Sequence, residues 1–185
     1  VENRYAKRVA GRLNGLAHQQ WCVLLVGLPG AGKTTFRKQL IAALDCAPVV
    51  VSTDDVLLDI AQREGITYQE AFESKEAKAM MVREAYVRVK MAREELRPLI
   101  IDQVNPTVKS RRKKLAALSK NYLRVGVYCA VDRATAAERI AQRGIYGASI
   151  DVHDRMRETF VEPTAEEFDE FYTVEPTNWL LDQSA

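Results

Sequence analysis

The run GLPGAGKT, Gly27 to Thr34, satisfies the pattern GxxxxGK[ST] and stands between an apolar stretch, WCVLLV at 21–26, and a segment of helical pattern at 34–44. Glycines at 27, 30 and 32 let backbone N–H groups wrap a phosphate, and the helix that follows offers its positive N-terminal end. The spacing therefore assigns Gly27, Leu28, Pro29, Gly30, Ala31, Gly32, Lys33, Thr34 and Thr35 to nucleotide phosphates. Lys33 is expected to reach the β- and γ-phosphates as a point charge, and the Thr34 hydroxyl to coordinate Mg²⁺. ATP with Mg²⁺ is the expected ligand.

The rest of the chain has the alternation that such a loop requires. Short apolar, partly β-branched runs recur at 21–26, 48–52, 98–102 and 123–129, and a further strand is expected at 171–174, after the acidic turn PTAEEFDE. Helical patterns fill the gaps at 34–44, 69–96, 109–118 and 134–143, the long one ending just before Pro98. Strands alternating with helices predict an α/β fold, a P-loop kinase-like parallel sheet flanked by helices with a helical lid. A helix is also expected over 2–18, with Val9, Leu13 and Leu16 packed and Arg4, Lys7, Arg8 and Arg12 on a solvated face. A length of 185 residues suits one core rather than two. One domain over 1–185 is expected, with an N-terminal helical part at 1–20 and a kinase core at 21–175. Because the chain begins with Val1, processing, trimming or excision from a longer polypeptide is expected too.

Charge is distributed unevenly. The formal net charge is only +2, yet 109–124 carries no acid while 158–175 carries no Lys or Arg. One stretch would attract phosphates and the other repel them. Cys22, Cys46 and Cys129 lie in or beside apolar runs without zinc-ligand spacing, which predicts buried, reduced thiols. No apolar run reaches the roughly 18–20 residues of a membrane span, and the N-terminus lacks the apolar core of a signal peptide. A soluble, cytoplasmic protein is the expectation.

Three further motifs suggest chemistry beyond binding. STDD, Ser52 to Asp55, falls at the carboxyl end of the second strand, where open α/β sheets place ligands. A hydroxyl attacking phosphorus needs a proton acceptor within about 3 Å; Asp54 is the candidate base, and Asp55 the candidate cap of the next helix. LIIDQVN, Leu99 to Asn105, ends a strand in Asp102, which can hold Mg²⁺ or its waters. RIAQRG places Arg139 and Arg143 four residues apart on one helix face, suited to a lid that clamps phosphates. His18 and His153 have no metal-like spacing and read as surface or structural residues; Tyr5, Tyr122 and Tyr128 read as packing residues.

Taken in order, GLPGAGKT, STDD, DQVN, SRRKK and RIAQRGIYGASIDVHDRM resemble the kinase module of the phage polynucleotide 5'-kinase and its bacterial and phage relatives, over roughly residues 21–175. The spacing of Arg143-Gly144 and Ile150-Asp151-Val152 carries the resemblance most specifically. It implies Lys33 and Thr34 for ATP and Mg²⁺, Asp54 as the base that activates a 5'-hydroxyl, Arg143 as the lid catalyst and Arg139 as a nucleotide contact. Two departures stand out: the family often has DxTN where this chain has Asp102-Gln103-Val104-Asn105, and the phage enzyme's arginine three residues after the base is Leu57 here. Lys109, Arg112 and Lys113, on one helical face, could instead pair with acceptor phosphates.

The leading expectation is a kinase for 5'-hydroxyl ends of RNA or DNA in nucleic-acid repair, with fused or associated repair domains. A kinase for a small hydroxyl compound such as a nucleoside, sugar or nucleotide sugar, or a nucleotide-binding interaction module without transfer, stays open.

Overall fold

The structure, a computed structural model, describes residues 4–16, 20–143 and 148–175. Helix α1, Arg4–Asn14, leads into strand β1, Trp21–Val26, and then α2, Lys33–Ala42. Strand β2, Val49–Ser52, is followed by three helices, α3 (Thr53–Glu64), α4 (Tyr68–Glu73) and α5 (Lys75–Glu94). The chain continues through β3 (Leu99–Asp102), α6 (Val108–Ala116), β4 (Leu123–Cys129), α7 (Arg133–Arg143), α8 (Ile150–Glu158), a short 3₁₀ turn at Ala165–Glu167, and β5 (Glu170–Val174).

The five strands form one parallel sheet in the order β2-β3-β1-β4-β5. All six residues of β1 are buried, as expected of a central parallel strand covered on both faces. Trp21, Val23 and Leu25 point to the side covered by α1 and α2, where they meet Val9, Leu13, Phe36 and Leu40. Cys22, Leu24 and Val26 point to the other side, with Ala92 of α5 and Leu115 of α6. A separate apolar cluster joins α3, α4 and α5 through Leu57, Ile60, Tyr68, Ala71 and Ala77. Among the described residues, no helix is long and apolar enough to cross a membrane.

The sheet register prepares the functional edge. Asp102 pairs with both Leu25 and Ser52, so the carboxyl ends of β1, β2 and β3 finish level with one another. The loop at 27–32 and the turn at 52–55 therefore open on the same side.

Several expectations change. The helix expected over 69–96 is two helices broken at Ser74, whose extended backbone (φ −62°, ψ 130°) ends α4 while its hydroxyl caps α5 by accepting from the Ala77 N–H. The cap of α3 is Ser52, not Asp55: the Ser52 hydroxyl accepts from the Asp55 N–H at 3.2 Å, which puts Asp55 in the first turn. Cys46 is exposed, because it sits in the loop after α2 rather than in a strand, whereas Cys22 and Cys129 are buried. Burial pushes the Cys129 thiol up to about 12, so it stays protonated. The first helix is described only over Arg4–Asn14, where Ala6, Val9, Ala10 and Leu13 form its buried stripe.

Candidate active site

The loop between β1 and α2 needs its glycines. Gly30 and Gly32 have φ of 82° and 87°, a left-handed region costly for residues with a Cβ. At Gly30 a Cβ would also lie 2.9 Å from the Ala136 carbonyl oxygen, and at Gly27 it would lie 2.6 Å from that of Cys129. The loop is thus pressed against β4 and α7 and closed to side chains, the condition for backbone N–H groups to line a phosphate cradle. The Lys33 ammonium folds back over it, donating to the carbonyls of Gly27 at 2.8 Å and Leu28 at 3.1 Å.

A carboxylate cluster faces this cradle. Thr34 Oγ1 donates to Asp102 Oδ2 at 3.3 Å. Arg37, one helical turn on, lies 3.3 Å from the same oxygen and donates to Asp55 at 2.7 Å and 3.3 Å. Burial holds the Asp102 carboxyl above the usual carboxylate range; Lys33 and Arg37 oppose that shift, and the charges of Asp54 and Asp55 add to it. Asp54 opens into the same cleft as Lys33, Thr34 and Asp102, and its Oδ1 accepts from the Tyr68 hydroxyl at 3.2 Å.

No group of three or more His, Cys, Asp or Glu side chains among the described residues is arranged to hold a metal ion by itself. A threonine hydroxyl beside one buried carboxylate is the donor set of a Mg²⁺ site whose remaining ligands are phosphate oxygens and water, so Thr34 and Asp102 fit that group.

The lid side reaches the cradle at two points. Arg139 of α7 donates to the Gly30 carbonyl at 3.2 Å. Arg143 ends α7, and its side chain lies outside the described residues, as do Gly144 and His18. His153 of α8 is fully buried, with Nδ1 2.8 Å from the Pro29 carbonyl oxygen. Since a carbonyl only accepts, Nδ1 carries the proton.

Three residues to which the sequence assigns no role in the site hold it together. Arg37 follows Thr34 by three residues, a spacing that places both on one helix face. His153, which the sequence reads as surface or structural, is structural: it is buried against the phosphate loop. Asn105, with φ 52°, donates through Nδ2 to the Leu25 carbonyl at 2.6 Å, and the neighbouring Val104 carbonyl accepts from the Gly27 N–H at 3.2 Å. That bracing fixes the root of the phosphate loop.

The basic stretch is only partly free for a ligand. Arg111 is fully buried and makes two 2.8 Å bonds to Glu167, and Lys114 donates to Asn105 Oδ1. Lys109, Arg112 and Lys113 stay exposed.

A glycine-rich loop at the carboxyl end of the central strand of a 2-3-1-4-5 parallel sheet defines the P-loop kinase-like α/β class. Residues 22–163 match the AAA domain family, and the chain belongs to that family. Comparison with curated proteins gives no match. Among solved structures, the chain is similar to a protein of Chloroflexus aurantiacus j-10-fl (18% identity, 91% of each chain, TM-score 0.66). It is also similar to a gluconokinase from Sinorhizobium meliloti 1021 (16%, 84% of this chain and 82% of that one, 0.51). A chain of the Pnkp1/Rnl/Hen1 RNA repair complex aligns at 18% identity, over 80% of this chain and 49% of its own length, with a TM-score of 0.59. At these identities the likeness concerns the fold.

Proposed function

We propose that this chain transfers the γ-phosphoryl group of ATP to a hydroxyl, and that the hydroxyl is the 5'-end of RNA or DNA. The observation that carries the proposal is the lining of one cleft by Lys33, Thr34, Asp54 and Asp102. Lys33 pairs with the β- and γ-phosphates, and Thr34 with Asp102 would hold Mg²⁺, which when bound neutralises charge on those oxygens. Asp54 accepts the proton of the attacking hydroxyl. Arg139 and Arg143, on the helix that abuts the cradle, stabilise charge spreading over the group in transfer. The resemblance of the motif series to polynucleotide 5'-kinases supports this choice of acceptor; the likeness to a chain of an RNA repair complex is consistent with it.

A second reading, transfer to a small hydroxyl compound, is favoured by Leu57. It is 2% exposed within the α3–α5 cluster, so this position supplies no cation to an acceptor phosphate.

The deciding experiment measures transfer of labelled γ-phosphate from ATP-Mg²⁺ to 5'-hydroxyl RNA and DNA oligonucleotides, with gluconate and free nucleosides in parallel. Labelled oligonucleotide at low salt, weakening steeply as salt rises through counterion release, supports the first reading. Label only on small acceptors supports the second.

A further inference from the structure

Helix α4 has no part in the transfer chemistry assigned above, yet it places two aromatic residues in the cleft, Tyr68 and Phe72. Tyr68 is 6% exposed, and its hydroxyl donates to Asp54 Oδ1 at 3.2 Å. A buried phenol needs an acceptor, and the acceptor it has found is the carboxylate in the position of the base. The Tyr68 ring stacks on Phe72 with centroids 6.2 Å apart and 16° between planes. Phe72 is half-buried and lines the cleft, together with apolar Val104, Val152 and Met156; the exposed Lys78 ammonium lies over its ring, 5.2 Å from the centroid, where a stacking base would displace it. Lys33 is the single cation among the described lining residues.

We propose that α4 reads the acceptor: Tyr68 is a positioning residue for Asp54, and Phe72 offers the surface on which a nucleobase beside the attacking hydroxyl stacks. The inference rests on the hydroxyl-kinase reading for Asp54 and deepens it by naming the residue that orients the base and the residue that contacts the acceptor's terminal nucleobase. Holding Oδ1 with the phenol leaves Oδ2 of Asp54 to take the proton. The hydroxyl oxygen then bonds to the γ-phosphorus, the bond from that phosphorus to the β–γ bridging oxygen breaks, and ADP leaves. An apolar wall carrying an aromatic ring suits the face of a base, and base–aromatic stacking tolerates any base because each has a π-face.

The test compares wild type, Tyr68→Phe and Phe72→Ala on a 5'-hydroxyl oligonucleotide and on the same strand with an abasic 5'-terminal sugar. Tyr68→Phe keeps the ring and removes one hydrogen bond to a charged group, so kcat is expected to fall about ten- to hundredfold with both KM values unchanged. Phe72→Ala is expected to raise the acceptor KM about ten- to hundredfold on the intact strand while leaving the ATP KM unchanged. The abasic strand should show the same rise in wild type and no further rise in the variant, a non-additivity that a merely structural role would not produce. Phe72→Leu keeps apolar packing without a π-face and replaces Phe72→Ala if the latter melts early. Calorimetric binding of both strands without ATP reads the stacking independently of turnover. If wild type prefers the base-bearing end, Phe72→Ala abolishes the preference and no label is transferred, the kinase reading fails and the Phe72 assignment stands. Label transferred with equal KM for intact and abasic ends, or an unchanged kcat in Tyr68→Phe, overturns the inference while leaving the kinase reading in place. No binding of either strand overturns the inference as well.

Discussion

Arg37 carries one positive charge between two carboxylates, and its side chain is 6% exposed against 4% for Asp102 and 41% for Asp55. Burying Arg37 and Asp102 together is tolerable only while the pair stays intact, because removing one partner leaves the other desolvated and uncompensated. Arg37→Met should therefore cost about 3 kcal/mol in urea unfolding, and adding Asp102→Asn should recover most of that loss, since the orphaned charge is gone. Equal instability of the double variant would show that Arg37 acts through packing. Asp54 is a different case: it faces the cleft, and its proposed role is proton transfer rather than support. Asp54→Asn should leave ATP affinity within about twofold and cut transfer roughly 10²- to 10⁴-fold; unchanged single-turnover rates would remove it as the base. Of these residues the sequence offered Asp54, Asp102, Lys33 and Thr34, each marked by a strand end or a glycine pattern. Arg37 was not legible, because a charged residue in a helix reads as solvent-facing until tertiary packing closes over it.

The elements around the cleft came through in proportion to their periodicity. All five strands were legible as short apolar runs, and α2, α6 and α7 as helical patterns, because burial on a face repeats at a fixed interval. The break between α4 and α5 was hidden: Ser74 interrupts by a cap geometry, while the apolar residues on either side keep helical spacing. That break matters, since it frees the short α4 from the direction of the long α5, and it is α4 that carries Tyr68 to Asp54. The junction of β2 and α3 is equally dependent on a cap. Ser52 is the last residue of the strand and the N-cap of the helix, so one hydroxyl sets the turn that carries Asp54 and Asp55. Ser52→Ala should lower stability by about 1 kcal/mol and reduce transfer as well, whereas Ser52→Thr, whose hydroxyl can still accept from the Asp55 N–H, should restore most of the stability. A thermal melt of the three forms measures this, and equal midpoints would mean that the Arg37 pairing alone holds the turn.

Across the whole molecule, the acid-free stretch and the base-free stretch turn out to be partners rather than opposing poles. Arg111 is fully buried and binds Glu167, the Asn105 carbonyl at 3.0 Å and the Val161 carbonyl at 2.9 Å, tying α6 and the segment before β5 to the root of the phosphate loop. The hydrogen bonds from Arg111 hold the Glu167 carboxyl below its ordinary value of 4.5. The folded protein thus binds this proton less readily than the unfolded chain does. Its contribution to stability is complete above the ordinary value and is lost as pH falls through the lower folded one. Lys114 works in the opposite sense at the alkaline end: burial pulls it down to about 8 from 10.5, so the cost of its buried charge is relieved as pH rises between those values. Melting temperatures measured from about pH 7 down to about pH 3 should fall more steeply in wild type than in Glu167→Gln, which has no proton to gain. Glu167→Gln should also begin lower near neutrality, because a neutral amide leaves Arg111 buried without its counter-charge. Parallel acid profiles for the two proteins would instead assign the acid loss to carboxylates elsewhere, and would leave the link between α6 and the phosphate loop resting on the carbonyl contacts of Arg111.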